Sequence, residues 1–215
     1  LIVCKTDRAW TRDFLPIFIK DRKKRNVLSN WEFNAWAKYK NFKNDNTTYL
    51  SINKLKKIKM VRPKFKKKKI VLEGGSIDVN GKGLLLTTAQ CLLSRVQQRN
   101  KGFNKNDYGQ IFNKFFGVRK VIWLNKGICG DDTHGHIDDI ARFINEKKIF
   151  VAYEENKSES NYKMLKENGV NVELHAYGKG GHGYGLGTQD TEKNWPKACA
   201  IWLKKEILPK NSLDK

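Results

Sequence analysis

The stretch from Ile70 to Thr88 leaves the chain little choice of local structure. Ile70-Val71-Leu72 is apolar, Glu73 follows, and Gly74-Gly75 lets the backbone bend or approach another segment closely. Ser76-Ile77-Asp78-Val79 then runs into Asn80-Gly81, a pair that accepts the left-handed conformations of tight hairpin turns, and Leu84-Leu85-Leu86 returns. A strand, a glycine pair and a hairpin in succession predict a sheet. Glu73, placed between apolar residues and glycines, is expected to be partly desolvated. Desolvation raises a carboxyl pKa toward neutrality and suits the group to moving protons. A hydrogen-bonded structural Glu is the alternative.

The flanking segments supply helices and further strands. Over Asn106 to Phe116, Ile111, Phe112, Phe115 and Phe116 share one face, and Gly117 is placed to end a helix. Lys120-Val121-Ile122-Trp123-Leu124 reads as a buried strand, and Ile149-Phe150-Val151-Ala152 as another. Between them, Ile137, Ile140, Ala141 and Ile144 recur at helical spacing and predict a helix to about Asn145. Strands alternating with helices argue for an α/β architecture. With 215 residues, 39% of them hydrophobic and 11% aromatic, the chain has enough apolar material for a packed core. No run approaches the roughly 18 apolar residues of a membrane-spanning helix.

Chemistry concentrates in Gly130-Asp131-Asp132-Thr133-His134-Gly135-His136-Ile137-Asp138-Asp139, where four carboxylates and two imidazoles fall within nine positions. The cluster lies on the loop after a strand, where a rigid scaffold most often presents reactive groups. Catalysis competes here with helix capping, with ligation of zinc or manganese, and with a plain solvated loop. A second candidate is Trp10-Thr11-Arg12-Asp13, expected at a strand end or loop after the apolar Leu1-Ile2-Val3-Cys4 and before Pro16. A Trp ring beside a carboxylate can hold a cation, although a core Trp with a surface ion pair is the simpler account. Trp31-Glu32-Phe33-Asn34-Ala35-Trp36 alternates like a strand and is expected to pack in the core.

The net charge is +21, and between Lys54 and Lys69 ten of sixteen residues are Lys or Arg. Such a run can mark a nucleic-acid or anionic surface, but Phe65 is its one aromatic and no nucleic-acid module accompanies it. It is read as a solvated linker with a short helix, and nucleic acid is not an expected partner. The four cysteines, Cys4, Cys91, Cys129 and Cys199, fit no zinc pattern and are expected to be reduced thiols of a cytoplasmic protein. The chain opens without Met and is read as incomplete at its N-terminus, which leaves secretion open.

Four motifs in order resemble the agmatine deiminases and the bacterial-type peptidylarginine deiminases: Trp10 to Asp13 with Pro16, Trp31 to Trp36, Leu72-Glu73-Gly74-Gly75-Ser76-Ile77-Asp78, and Gly135-His136-Ile137-Asp138. The resemblance covers about residues 1–160. It implies a partial five-bladed α/β propeller of ββαβ units, and a C–N hydrolase that turns a guanidino group into a ureido group and ammonia. In that family a cysteine attacks the guanidinium carbon and water hydrolyses the thiouronium intermediate. By the resemblance Asp13 and Asp138 hold the guanidinium, His136 is the general acid/base, Glu73 is a second proton-handling group, and Trp10 lines the substrate site. It implies no metal and no cofactor. The partner would be a small guanidino substrate such as agmatine, or a peptidyl arginine, with homo-oligomerisation left open.

The sequence departs from the family in places. Leu15 stands where a Gly is usual, and Ala89 where an acidic residue is common. The Gly-rich, His-containing motif that carries the family's nucleophilic Cys does not occur. Residues 161–215 resemble instead the C-terminal end of α/β-hydrolase esterases, a helix-strand-helix tail with His182 in Gly180-Gly181-His182-Gly183. His182 would then be a relic of a catalytic triad, since no Gly-x-Ser-x-Gly elbow accompanies it. The expectation is a fused or assembled chain, with a deiminase-like part over 1–160 and a hydrolase-like part over 161–215, inactive for want of the Cys. The alternatives are a non-catalytic basic binding protein and a remnant esterase.

Overall fold

A computed structural model describes residues 3–56 and 58–152. The first unit is a hairpin of β1 (Ile17–Lys20) and β2 (Asn26–Ser29), closed by Asp21, whose Oδ1 accepts from the Lys23 and Arg25 amides. Helix α2 (Thr48–Lys56) follows, and β3 (Met60–Val61) then adds parallel to β2. The second unit repeats this order. Strands β6 (Asp78–Val79) and β7 (Leu84–Thr88) pair antiparallel, two helices intervene, and β8 (Lys120–Leu124) adds parallel to β7. The helices are α3 (Ala89–Leu93) and α4 (Lys105–Phe116). A further hairpin joins β9 (Ala141–Phe143) to β10 (Ile149–Val151). The sheets are small, the two three-stranded ones mixed and the two-stranded ones antiparallel, and none closes into a barrel among the described residues.

Strand β7 is the spine of the core. Successive side chains of a strand point to opposite faces, so Leu85 joins Leu72, Tyr108, Ile111 and Phe112 while Leu86 joins Leu124, Ile137, Ile140 and Val151. Both leucines are fully buried. Helix α4 carries the first cluster with the apolar face expected for it. Asn104 caps its start by accepting from the Asn106 and Asp107 amides, and Gly117 ends it in the left-handed conformation at φ 68°.

Several expectations are corrected. Trp10 to Asp13 enters α1 (Thr11–Phe14), a single helical turn, and Val3 to Thr6 before it forms no strand. Leu15 follows with φ −76°, which any residue adopts, so a Leu in the family's usual Gly position strains nothing. Trp31 to Trp36 is not a strand: only Glu32 bridges, to Val71, and Ala35, Trp36 and Ala37 make a left-handed turn. Its core packing holds, with Trp31, Phe33 and Trp36 buried. The basic run is not a linker. It contributes β3 and the two-stranded hairpin β4 (Lys64–Phe65) and β5 (Lys68–Lys69), with Lys66 paired to Asp107 and both Arg62 and Lys69 to Glu32. The Asn80 hairpin is wider than a two-residue turn, because Asn80 Oδ1 accepts from both the Lys82 and Leu84 amides. No helix follows Asp139: residues 137–140 make one turn, in which the Ile140 and Ala141 amides donate to the Ile137 carbonyl, and β9 begins at once. The Lys120 strand is half-buried rather than buried. The tail 161–215, with His182 and Cys199, lies outside the described residues.

Candidate active site

Four of the predicted site residues come together from three segments. Asp13 arrives on α1, Glu73 immediately precedes the glycine pair, and His136 and Asp138 lie on the loop after β8. His136 is the centre, with 2% of its surface exposed. Its Nδ1 is 3.8 Å from Asp13 Oδ1 and 3.8 Å from Asp138 Oδ1, and its Nε2 is 3.7 Å from Glu73 Oε2. Burial opposes a charged imidazole, but Glu73, Asp13 and Asp138 together hold its pKa above the ordinary histidine value.

Gly75 makes this convergence possible. Its amide donates to Asp13 Oδ1 at 3.0 Å, and its carbonyl accepts from the Asp138 amide at 3.2 Å. A Cβ at this position would lie 2.4 Å from His136 Nδ1. The second oxygen of Asp13 accepts from Trp36 Nε1 at 3.0 Å, which explains the left-handed turn at 35–37 as a device that aims the indole. Burial raises the Asp13 pKa despite the His136 charge and these donors. Asp138 is more open, and its Oδ2 accepts from Arg12 Nε at 2.8 Å.

Asp131 shapes the loop that carries His136. Its Oδ1 accepts from the Thr133 amide, and its Oδ2 from the Thr133 hydroxyl and the Gly135 amide. Gly130 and Gly135 take φ values of 80° and 95°, which their missing Cβ allows. Of the two histidines in the cluster only His136 enters the site. His134 Nε2 pairs with Ser94 Oγ instead, and burial lowers its pKa. Trp10 stands beside α1, half-exposed.

Glu73 is fully buried but is not poised near neutrality, contrary to the expectation. Burial alone would raise its pKa; Arg99, bonded through Nε to Glu73 Oε1 at 3.0 Å, and His136 hold it at about 2. Glu73 therefore remains a carboxylate and acts on His136 through its charge. Arg99 carries no periodic or motif signal in the sequence and was not anticipated. Cys91 is likewise new to the site: its Sγ and the facing atoms of Glu73 and His136 lie within 4.8 Å of one another. This is the one grouping among the described residues that could hold a metal ion. Arg99 holds Glu73 Oε1 and already supplies a positive charge beside the group, and burial drives the Cys91 pKa far up, so both donors are poorly prepared for a cation.

Residues 1–181 match the family model for Porphyromonas-type peptidyl-arginine deiminases. The chain belongs to that family. The match runs past residue 160 and takes in residues 161–181, the start of the segment expected to be hydrolase-like. A putative agmatine deiminase of Listeria monocytogenes is 35% identical over 78% of this chain and 45% of its own length. The agmatine deiminase of Pseudomonas savastanoi pv. phaseolicola is 32% identical over 75% of this chain and 44% of its own. The chain thus spans about half the length of the curated relatives it matches. Among solved structures, a C. jejuni agmatine deiminase with substrate bound superposes with a TM-score of 0.68 at 34% identity, over 81% of this chain and 52% of that one. The Enterococcus faecalis agmatine deiminase superposes with a TM-score of 0.70 at 29% identity, over 80% and 50%. These deiminases share the propeller-like α/β fold. No helix of the described residues is long and apolar enough to cross a membrane.

Proposed function

We propose that this deiminase-family chain holds a guanidino substrate among the proton-handling groups that, in the family's complete reaction, yield a ureido product and ammonia. The observation that carries this is one buried imidazole facing three carboxylates within 4 Å. A guanidinium is a planar cation with donors along its edges, and it calls for acceptors on two sides. Asp13 and Asp138, both beside His136 Nδ1, supply them. In the family's chemistry a thiolate sulfur bonds to the guanidinium carbon. The C–N bond breaks as His136 passes its proton to the departing ammonia. Water then adds to the thiouronium carbon while His136 takes a proton, and the C–S bond breaks to release the ureido product and the thiolate. Agmatine, the substrate class named for the relatives, and arginine both fit this chemistry.

The covalent step needs a thiolate, and the cysteine that faces Glu73 and His136 is a poor source. Cys91 is buried with its thiol kept protonated, so it is not the nucleophile in this proposal. The chain with these 215 residues is therefore proposed to bind without turning over. The tail 161–215 is proposed as a hydrolase-like addition, supported by its Gly180-Gly181-His182-Gly183 stretch. Purified chain offered agmatine, arginine or an arginine peptide should release no ammonia above the blank. Ureido product that disappears in Asp138→Ala would overturn this, and Cys91→Ser would then show whether Cys91 supplies the sulfur.

A further inference from the structure

We propose that Arg99 is a positioning residue that locks Glu73 against His136 by tying the Glu73 carboxylate to the loop that carries His136. Its role in proton handling rests on the function proposed above. One guanidinium joins three segments: Nε donates to Glu73 Oε1 at 3.0 Å, Nη1 to the Gln97 carbonyl at 2.9 Å, and Nη2 to the Thr133 carbonyl. Thr133 is three residues before His136, inside the turn that Asp131 closes. The Arg99 and Glu73 side chains are both wholly buried, so neither can turn to water for a partner. With Oε1 taken, only Oε2 is left to face His136 Nε2, and these two buried atoms have no hydrogen-bond partner.

The next residue holds the other side of Glu73. Asn100 Oδ1 accepts from the Val71 amide, and its Nδ2 donates to the Val71 carbonyl and to the Tyr108 hydroxyl. Asn100 thus fixes the backbone two residues before Glu73 while Arg99 fixes the carboxylate. A lysine at 99 would keep the charge but could not span Glu73, Gln97 and Thr133 with a planar fork. Fixed in this way, Glu73 presents one charged oxygen to His136 and leaves Nδ1 to face Asp13 and Asp138.

The test uses the full chain with Arg99→Met and Arg99→Lys. Carboxyl NMR should show Glu73 titrating about two pH units higher in Arg99→Met, the size of effect a lost adjacent cation has, and the His136 imidazole resonances should shift with it. In Arg99→Lys the Glu73 midpoint should recover most of the way, while hydrogen exchange at the Gly135 and His136 amides should quicken about tenfold as the Thr133 tie is lost. A Glu73 midpoint unchanged in folded Arg99→Met overturns the proposal. Where Arg99→Met does not fold, unchanged exchange and unchanged His136 resonances in Arg99→Lys overturn it. Agmatine calorimetry separates the two claims: wild-type chain that does not bind agmatine, with the Glu73 shift still present, refutes the proposed function and leaves the Arg99 tie standing.

Discussion

Gly75→Ala should abolish binding of guanidino ligands and lower stability by about 1–3 kcal/mol, the usual cost of forcing a methyl into a packed interior. The added Cβ would sit 2.4 Å from His136 Nδ1 and 2.7 Å from Asp13 Oδ1, closer than real Cβ contacts come. Neither neighbour can yield cheaply. Asp13 is held on its other oxygen by Trp36, and the His136 backbone is held by the Asp131 turn. The strand-side neighbour is also fixed, since Gly75 bonds both Asp13 and the Asp138 amide. Displacing His136 therefore separates the imidazole from all three carboxylates at once. Urea unfolding and agmatine calorimetry on the variant check both parts. Binding within twofold of the wild type would mean that the close approach at Gly75 is not required.

Glu73→Ala should be still more costly, about 3–5 kcal/mol, because it leaves Arg99 buried without a counter-charge. The same pair sets the acid limb of stability. The folded Glu73 pKa is depressed from 4.5 to about 2. Its contribution is therefore complete above about pH 4.5 and is lost as pH falls through about 2. His136 has the opposite sign: its pKa is raised, so its contribution is complete below the ordinary histidine range and is lost as pH climbs through the raised value. Asp13, with a raised pKa, works against the acid limb, since its protonation on acidification relieves a buried charge. Urea midpoints from pH 2 to 9 should thus fall at both ends in the wild type. Glu73→Gln should flatten the acid side; an acid limb of unchanged slope in that variant would contradict the assignment.

Asp13, Glu73, His136 and Asp138 were named together through the motifs that resemble the deiminases, since local signals alone left capping, metal ligation and a plain ion pair open. Their side chains do converge in the fold. The hairpin-helix-strand order of the second unit follows from local apolar patterning and the Asn80 and Gly117 signals, whereas that of the first was implied only by the resemblance. What failed depended on partners distant in sequence or on short elements. Ile137, Ile140 and Ala141 show helical spacing because one turn puts them there, and spacing alone cannot tell one turn from a helix. Burial of Glu73 could be inferred from its apolar neighbours. Its depressed pKa could not, since the cause, Arg99, lies 26 residues away in an unpatterned segment. The left-handed turn at 35–37 was hidden for the same reason: it is stabilised by the Trp36 bond to Asp13, 23 residues back.

The most direct test of the central claim is calorimetry of agmatine against the full chain, with Asp13→Asn and Asp138→Asn measured in parallel. The carboxylate cradle predicts saturable binding that weakens about 10- to 100-fold in either variant, the loss expected when a charge-assisted pair becomes a neutral one. Saturable binding that both variants retain unchanged, or no binding by the folded chain, would contradict it.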